Sequence, residues 1–266
     1  MTTIGPLLVI AALTTQSPAA DTLRLLASHL PDSALAAAVL ARPFAVRDAV
    51  TDALRQVVKG PTASARDDQL AVAHHLAAAY AVGWRDSFLL REVERFAARP
   101  TLQRASKVWV DSVRRAGIAA YGRDGPAAAI SVWRRALART RAIHDTAGIA
   151  TVSGNIGAGL LAEGRLDSAV VYLERARALA TAVGDVRTQA NAVVALAGVS
   201  EDRGDLTAAR QRYAEARALQ DRIGDTRGMA AGYNNLGLLA QRVGDLDEAR
   251  RQFEAALALN RRDGRD

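Results

Sequence analysis

The chain has 266 residues, half of them hydrophobic but only 5% aromatic, with no cysteine and a net charge of +7. That length can bury a sizeable core, and the alanine-rich, aromatic-poor balance favours packed helices over a β-sandwich. The lack of thiols excludes disulfides, thiolate metal sites and a cysteine nucleophile within these residues. Nearly all the positive charge is arginine, Lys59 and Lys107 being the only lysines, and it alternates with acids as in Glu174-Arg175 and Glu248-Ala249-Arg250. Such interleaving describes a solvated helix face, so no nucleic-acid role is expected.

In chain order, residues 1–20 come first and are expected to be an export signal. Ile4 to Leu13 is an apolar run too short to span a bilayer, so stable membrane insertion is not expected. Ser17-Pro18-Ala19 offers the small residues that a signal peptidase reads, although no Lys or Arg precedes the apolar run. Export to a periplasm or the extracellular space follows from that reading. If the segment is instead the first helix of the fold, the protein is cytoplasmic.

Residues 21–100 read as helical, either degenerate repeats or an N-terminal cap. Leu23 to Leu30 ends at Pro31, and Asp32-Ser33 can cap Ala34 to Arg42, which Pro43 stops. Phe44 to Lys59 closes at Gly60-Pro61. Arg66 to Arg99 forms one or two helices, with Gly83 as the break and Pro100 as the end.

Residues 101–266 are periodic. The endings AIHD, AVGD and RIGD place Asp145, Asp185 and Asp225 40 residues apart, and Gly164, Gly204 and Gly244 keep the same step. Other columns hold that register: Ala129, Ala169, Ala209 and Ala249, then the bulky Trp133, Leu173, Tyr213 and Phe253. A small column holds Gly117, Gly157, Ala197 and Gly237. Each unit divides into two helices at its Gly-Asp or equivalent turn, and such a pair must stack on its neighbours to bury an apolar face. Asp185, Asp225 and Asp245 stand where N-caps belong, with Glu248 placed to complete a capping box.

YNNLGLLAQRVGDLDEARRQFEAALAL, from Tyr233 to Leu259, carries a family pattern in Tyr233, Leu236-Gly237, Gly244, Ala249, Phe253 and Ala256. It resembles a tetratricopeptide repeat in a longer, 40-residue variant. The resemblance is close from about residue 146 to the end and looser over Ser106 to Asp145. It implies an all-α, right-handed superhelical solenoid of antiparallel helix pairs behind a helical N-terminal region. It also implies a protein–protein interaction scaffold that holds a peptide or partner helix in a concave groove.

Carrying the family's groove positions over gives Arg114, Gly154, Val194 and Asn234 in one row. Arg115, Asn155, Ala195 and Asn235 form the neighbouring row, with Gln241 and Arg242 nearer the inner helix ends. Asparagine amides both donate and accept, which suits a peptide backbone. The family's clamp for a C-terminal carboxylate needs lysines that this array lacks beyond Lys107. Gly-Asp-punctuated arrays also resemble those attached to bacterial CHAT-domain peptidases. The alternative role is therefore the non-catalytic sensor or scaffold part of such an enzyme.

No catalysis, cofactor or metal is expected of this chain. Gly154, Gly157 and Gly159 are spaced G-x-x-G-x-G inside a helical segment, where a dinucleotide loop needs G-x-G-x-x-G after a strand. His74 and His75 are adjacent, so a helix points them about 100° apart, unlike zinc ligands at i and i+4. The sequence stops at Asp266 just as a further unit should begin, so truncation is expected. Self-association through the uncapped C-terminal repeat is the accompanying expectation.

Overall fold

The computed structural model describes residues 18–29, 32–40, 43–84 and 86–262. The apolar run Ile4–Leu13 and the end of the chain beyond Arg262 lie outside them. All the regular structure among the described residues is helical. Two compact units divide after Ser112, inside one helix rather than at residue 100.

The first unit contains α1 (Pro18–His29), α2 (Asp32–Leu40), α3 (Pro43–Lys59), α4 (Ala63–Trp84), α5 (Phe88–Ala98) and the start of α6 (Thr101–Asp124). Its core gathers Leu23, Leu35, Val46, Leu76, Tyr80 and Val93, with α4 in the middle of the bundle. The described chain enters helix at Pro18 with Ala20 and Leu23 already buried, so the expected 1–20 boundary falls within α1. Gly83 does not break a helix. α4 runs through it to Trp84, and α5 starts where Asp86 Oδ1 accepts the Phe88 amide at 3.0 Å. A capped start defines the boundary better than one glycine, whose cost of about 1 kcal/mol a packed helix absorbs. Between the two histidines the structure chooses: Nδ1 of His75 lies 3.0 Å from the Ala27 carbonyl of α1, while His74 is exposed.

The second unit continues α6 and adds α7 (Pro126–Ala142), α8 (Thr146–Ala162), α9 (Leu166–Val183) and α10 (Val186–Asp202). It ends with α11 (Leu206–Arg222), α12 (Thr226–Arg242) and α13 (Leu246–Arg262). Each first helix (α8, α10, α12) packs on the second helix of its own pair and on that of the preceding pair, which builds an all-α solenoid. The bulky columns fill the seams: Trp133, Leu173 and Tyr213 are buried, as are the alanines at 129, 169, 209 and 249.

Turn chemistry sets the repeat. Gly164, Gly204 and Gly244 take left-handed φ of 70°, 80° and 83°, a conformation that suits glycine. Side chains of Asp185, Asp205, Asp225 and Asp245 then accept the amide three residues on, at 2.9–3.2 Å. The expected capping box at Glu248 is not formed. The Asp245 amide already donates to the Ala240 carbonyl at 3.0 Å, so Glu248 turns instead to Arg251 and Gln252. Those two hydrogen-bonded partners, Gln252 first and then Arg251, hold the Glu248 carboxyl below its ordinary value.

One turn departs from the pattern. His144 stands where the later units have Gly184 and Gly224, and it takes φ of 51°. A left-handed non-glycine residue costs about 1–2 kcal/mol, part of which glycine's larger unfolded-state entropy offsets. His144→Gly is therefore expected to raise the unfolding free energy by roughly 0.5–1 kcal/mol in chemical denaturation. No gain would mean that the imidazole makes a compensating contact.

Candidate functional site

Helical geometry divides each first helix into faces. One face meets the second helix of its own pair. A Cβ built on Gly157 would lie 2.6 Å from Leu173 Cγ, and one on Gly237 would lie 2.6 Å from Phe253 Cε1. Gly117 is tighter still: its missing Cβ makes room for Trp133, whose indole Nε1 donates to the Arg114 carbonyl at 3.0 Å.

The opposite face meets the preceding pair. Gly159 sits over Ile130 and Trp133 of α7, with a built Cβ 2.8 Å from Ile130 Cγ1. Leu239 of α12 packs with Tyr213 of α11, and the Arg217 guanidinium lies 5.0 Å from the Tyr233 ring centroid.

Between these faces runs a stripe that is open on α12 and partly covered on α8 and α10, where Gly154 faces Ala176 and Val194 packs beside Tyr213. In α12 it runs through Ala231, Asn234, Leu238 and Gln241, at spacings of three and four residues. Asn234 and Gln241 are exposed, and Leu238 is 40% exposed. In α10 the matching stripe is Asn191, Val194, Gly198 and Glu201, and in α8 it is Thr151, Gly154, Ala158 and Leu161. Small side chains thus floor the middle of the array, with larger ones on α12.

The expected site residues separate on this frame. Asn234 lies exposed on the stripe, whereas Asn235 is 7% exposed and turned inward. One residue of helix is a 100° rotation, so adjacent asparagines cannot share one face. Asn155, in the same column as Asn235, is half-buried and its Nδ2 is enclosed without a hydrogen-bond partner. Gly154 faces Ala176 of its own pair, 3.6 Å from the position of a built Cβ. Arg114 and Arg115 are half-buried and already engaged by neighbouring groups. Arg242 is exposed and reaches back one unit, its Nη1 3.3 Å from Glu201 Oε1. Glu201 Oε2 also accepts from the Tyr213 hydroxyl at 3.1 Å. Burial pushes that phenol well above its ordinary value, and the Glu201 and Asp202 carboxylates reinforce the effect, so it stays a donor.

Asn191 and Leu238 are among the stripe members that the family's groove positions do not include. Stepping three residues back from Val194 and four forward from Asn234 would have found them.

Several arginines expected to be merely solvated tie neighbouring units together. Arg187 pairs with Asp225 at 2.9 Å, Arg177 with Glu215 at 3.0 Å and Arg203 with Asp167 at 2.5 Å. Among the described residues no cluster of three or more His, Asp or Glu could hold a metal ion. No described helix is long and apolar enough to cross a membrane.

The glycine, aspartate and bulky columns of α10 to α13 decide the kind of repeat, because residues 188–262 match the tetratricopeptide repeat family. This segment is a tetratricopeptide-repeat array. The comparison with curated proteins gave no match. Among solved structures, BtubC (BKLC) from P. vanneervenii is similar at 17% identity and TM-score 0.49, over 81% of this chain and 88% of that one. The apo form of RapI is similar at 11% identity and TM-score 0.49, over 94% of this chain and 66% of that one. A putative kinesin light chain from Podosopora anserina, with nearly identical TPR-like repeats, is similar at 17% identity and TM-score 0.41, over 92% and 99%.

Proposed function

We propose that the stripe along α8, α10 and α12 binds a protein partner, held as an extended peptide or as a helix. Tetratricopeptide repeats are interaction scaffolds, and the finer assignment rests on one observation. On α12, exposed amides at Asn234 and Gln241 flank the half-open side chain of Leu238 on a single face. Amides offer both donors and acceptors to a peptide backbone, and a solvent-facing leucine offers an apolar anchor. The small residues Gly154 and Ala158 on α8 are only half-buried and leave room for that backbone.

Selection from a displayed library of random peptides against the full chain tests the reading. Enriched peptides should lose about tenfold in affinity, roughly 1.4 kcal/mol, on both Leu238→Asp and Asn234→Ala. Both residues are solvent-facing, so the melting temperature should hold. Unchanged affinity in both variants would sink the assignment.

A further inference from the structure

The alternation of arginine with acid, from which no nucleic-acid role was expected, breaks at α7. From Arg99 to Asp145 the sequence has ten basic residues and three acidic ones, an excess equal to the +7 of the whole chain. α7 itself carries Arg134, Arg135, Arg139 and Arg141 and no acid, and all four are exposed.

The other second helices show what is unusual here. In the column of Arg134, α9 has Glu174 and α13 has Glu254. The columns of Arg135 and Arg141 become Glu215 and Asp221 in α11. Arg177 and Arg187 of later units find Glu215 and Asp225 as partners, whereas among the described residues Arg134, Arg135 and Arg141 form no ion pair. The helix dipole favours cations in the last turn, which accounts for Arg139 and Arg141 but not for Arg134 and Arg135 in mid-helix.

The make-up of the face selects the partner. Protein interfaces turn on apolar and aromatic anchors. The exposed face of α7 has none: its one aromatic, Trp133, is buried, and Ser131, Ala138 and Ala142 fill the space between the arginines. Guanidinium forks and a hydroxyl are the donors that phosphate oxygens accept from. Arg134 and Arg141 stand two turns apart on one side of the helix, about 10 Å along its axis, with Arg135 on the other side. A duplex strand sets a phosphate every 3.4 Å of its axis, so about three fall within that span.

We propose that the outer face of α7 binds the phosphate backbone of a nucleic-acid duplex without reading its sequence.

Fluorescence anisotropy of a labelled DNA duplex of about 20 base pairs, titrated with the full chain from about 50 to 200 mM salt, tests this. The logarithm of the association constant should fall with that of salt at a slope of about −3, and a duplex of unrelated sequence should bind within about twofold. Arg134→Gln combined with Arg135→Gln should weaken binding at least about tenfold at the lowest salt and flatten the slope by about 2. Arg134→Lys with Arg135→Lys, which keeps the charge, should preserve the slope. Arg222→Gln with Arg227→Gln removes the same net charge two units further on, also at exposed positions, and should change affinity less than about twofold. All these side chains face solvent, so the melting temperature should hold. Equal losses in the two glutamine pairs would reduce the effect to net charge and overturn the proposal. So would a duplex that does not bind at about 50 mM salt, or tighter binding of a polyglutamate peptide or of phosphatidylserine vesicles than of the duplex.

Discussion

Asp225→Ala is expected to lower the unfolding free energy by about 3–5 kcal/mol, several times the loss at the equivalent Asp245. The Asp225 carboxylate has two tasks. Its Oδ1 accepts the Gly228 amide at 2.9 Å, which caps α12, and its Oδ2 meets Arg187 of the preceding unit at 2.9 Å. Both side chains are largely buried. Alanine therefore removes a cap worth about 1 kcal/mol and leaves a buried guanidinium without that counter-charge. At the exposed Asp245 only the cap is lost, 3.0 Å from the Glu248 amide, so Asp245→Ala should cost about 1 kcal/mol. Urea denaturation of the two variants checks the ratio. Pairing Asp225→Ala with Arg187→Met should recover part of the loss, since the stranded charge goes too. Equal losses at 225 and 245 would mean that the ion pair contributes nothing.

The second large effect separates two glycines three residues apart in α8. Gly157→Ala places a Cβ 2.6 Å from Leu173 Cγ and 3.2 Å from the Leu173 backbone nitrogen. Overpacking of this kind costs about 1–3 kcal/mol, against a helix-propensity gain of about 1 kcal/mol. The net expectation is a loss of about 1–2 kcal/mol, because the backbone contact cannot be relieved by a rotamer change. Gly154→Ala meets only Ala176, at an ordinary 3.6 Å. There the propensity term stands alone, and a gain of up to about 1 kcal/mol is expected. Thermal melts of the two variants should shift in opposite directions. Shifts of the same sign would contradict the packing described for α8 and α9.

The architecture was legible because its signals are local and repeated. Left-handed turns need glycine and helix starts need a carboxylate, so Gly164, Gly204, Gly244 and the aspartates at 185, 225 and 245 print the helix-pair boundaries into the sequence. What stayed hidden depends on partners distant in the chain. Gly159 fits no column, and its reason is the close approach of Ile130 and Trp133 from the preceding pair. The capping box failed at Glu248 because the amide it needed was taken by the Ala240 carbonyl of α12. For the site, residue types were readable but facing was not. Asn234 and Asn235 look alike on paper, and only the 100° step between them puts one outside and the other at 7% exposure.

A partner received by the stripe on the first helices, and not by the outer surface of the second helices, should shield thiols placed on that stripe. The chain has no cysteine, so single thiols can be introduced one at a time without background. Asn191→Cys and Asn234→Cys place a thiol on the stripe, and Val171→Cys places one on α9, where the native side chain is 68% exposed. Maleimide labelling is then timed with and without a library-selected peptide. Labelling should slow at 191 and 234 with no change at 171. Protection at 171 alone, or at none of the three while the peptide is bound, would contradict it.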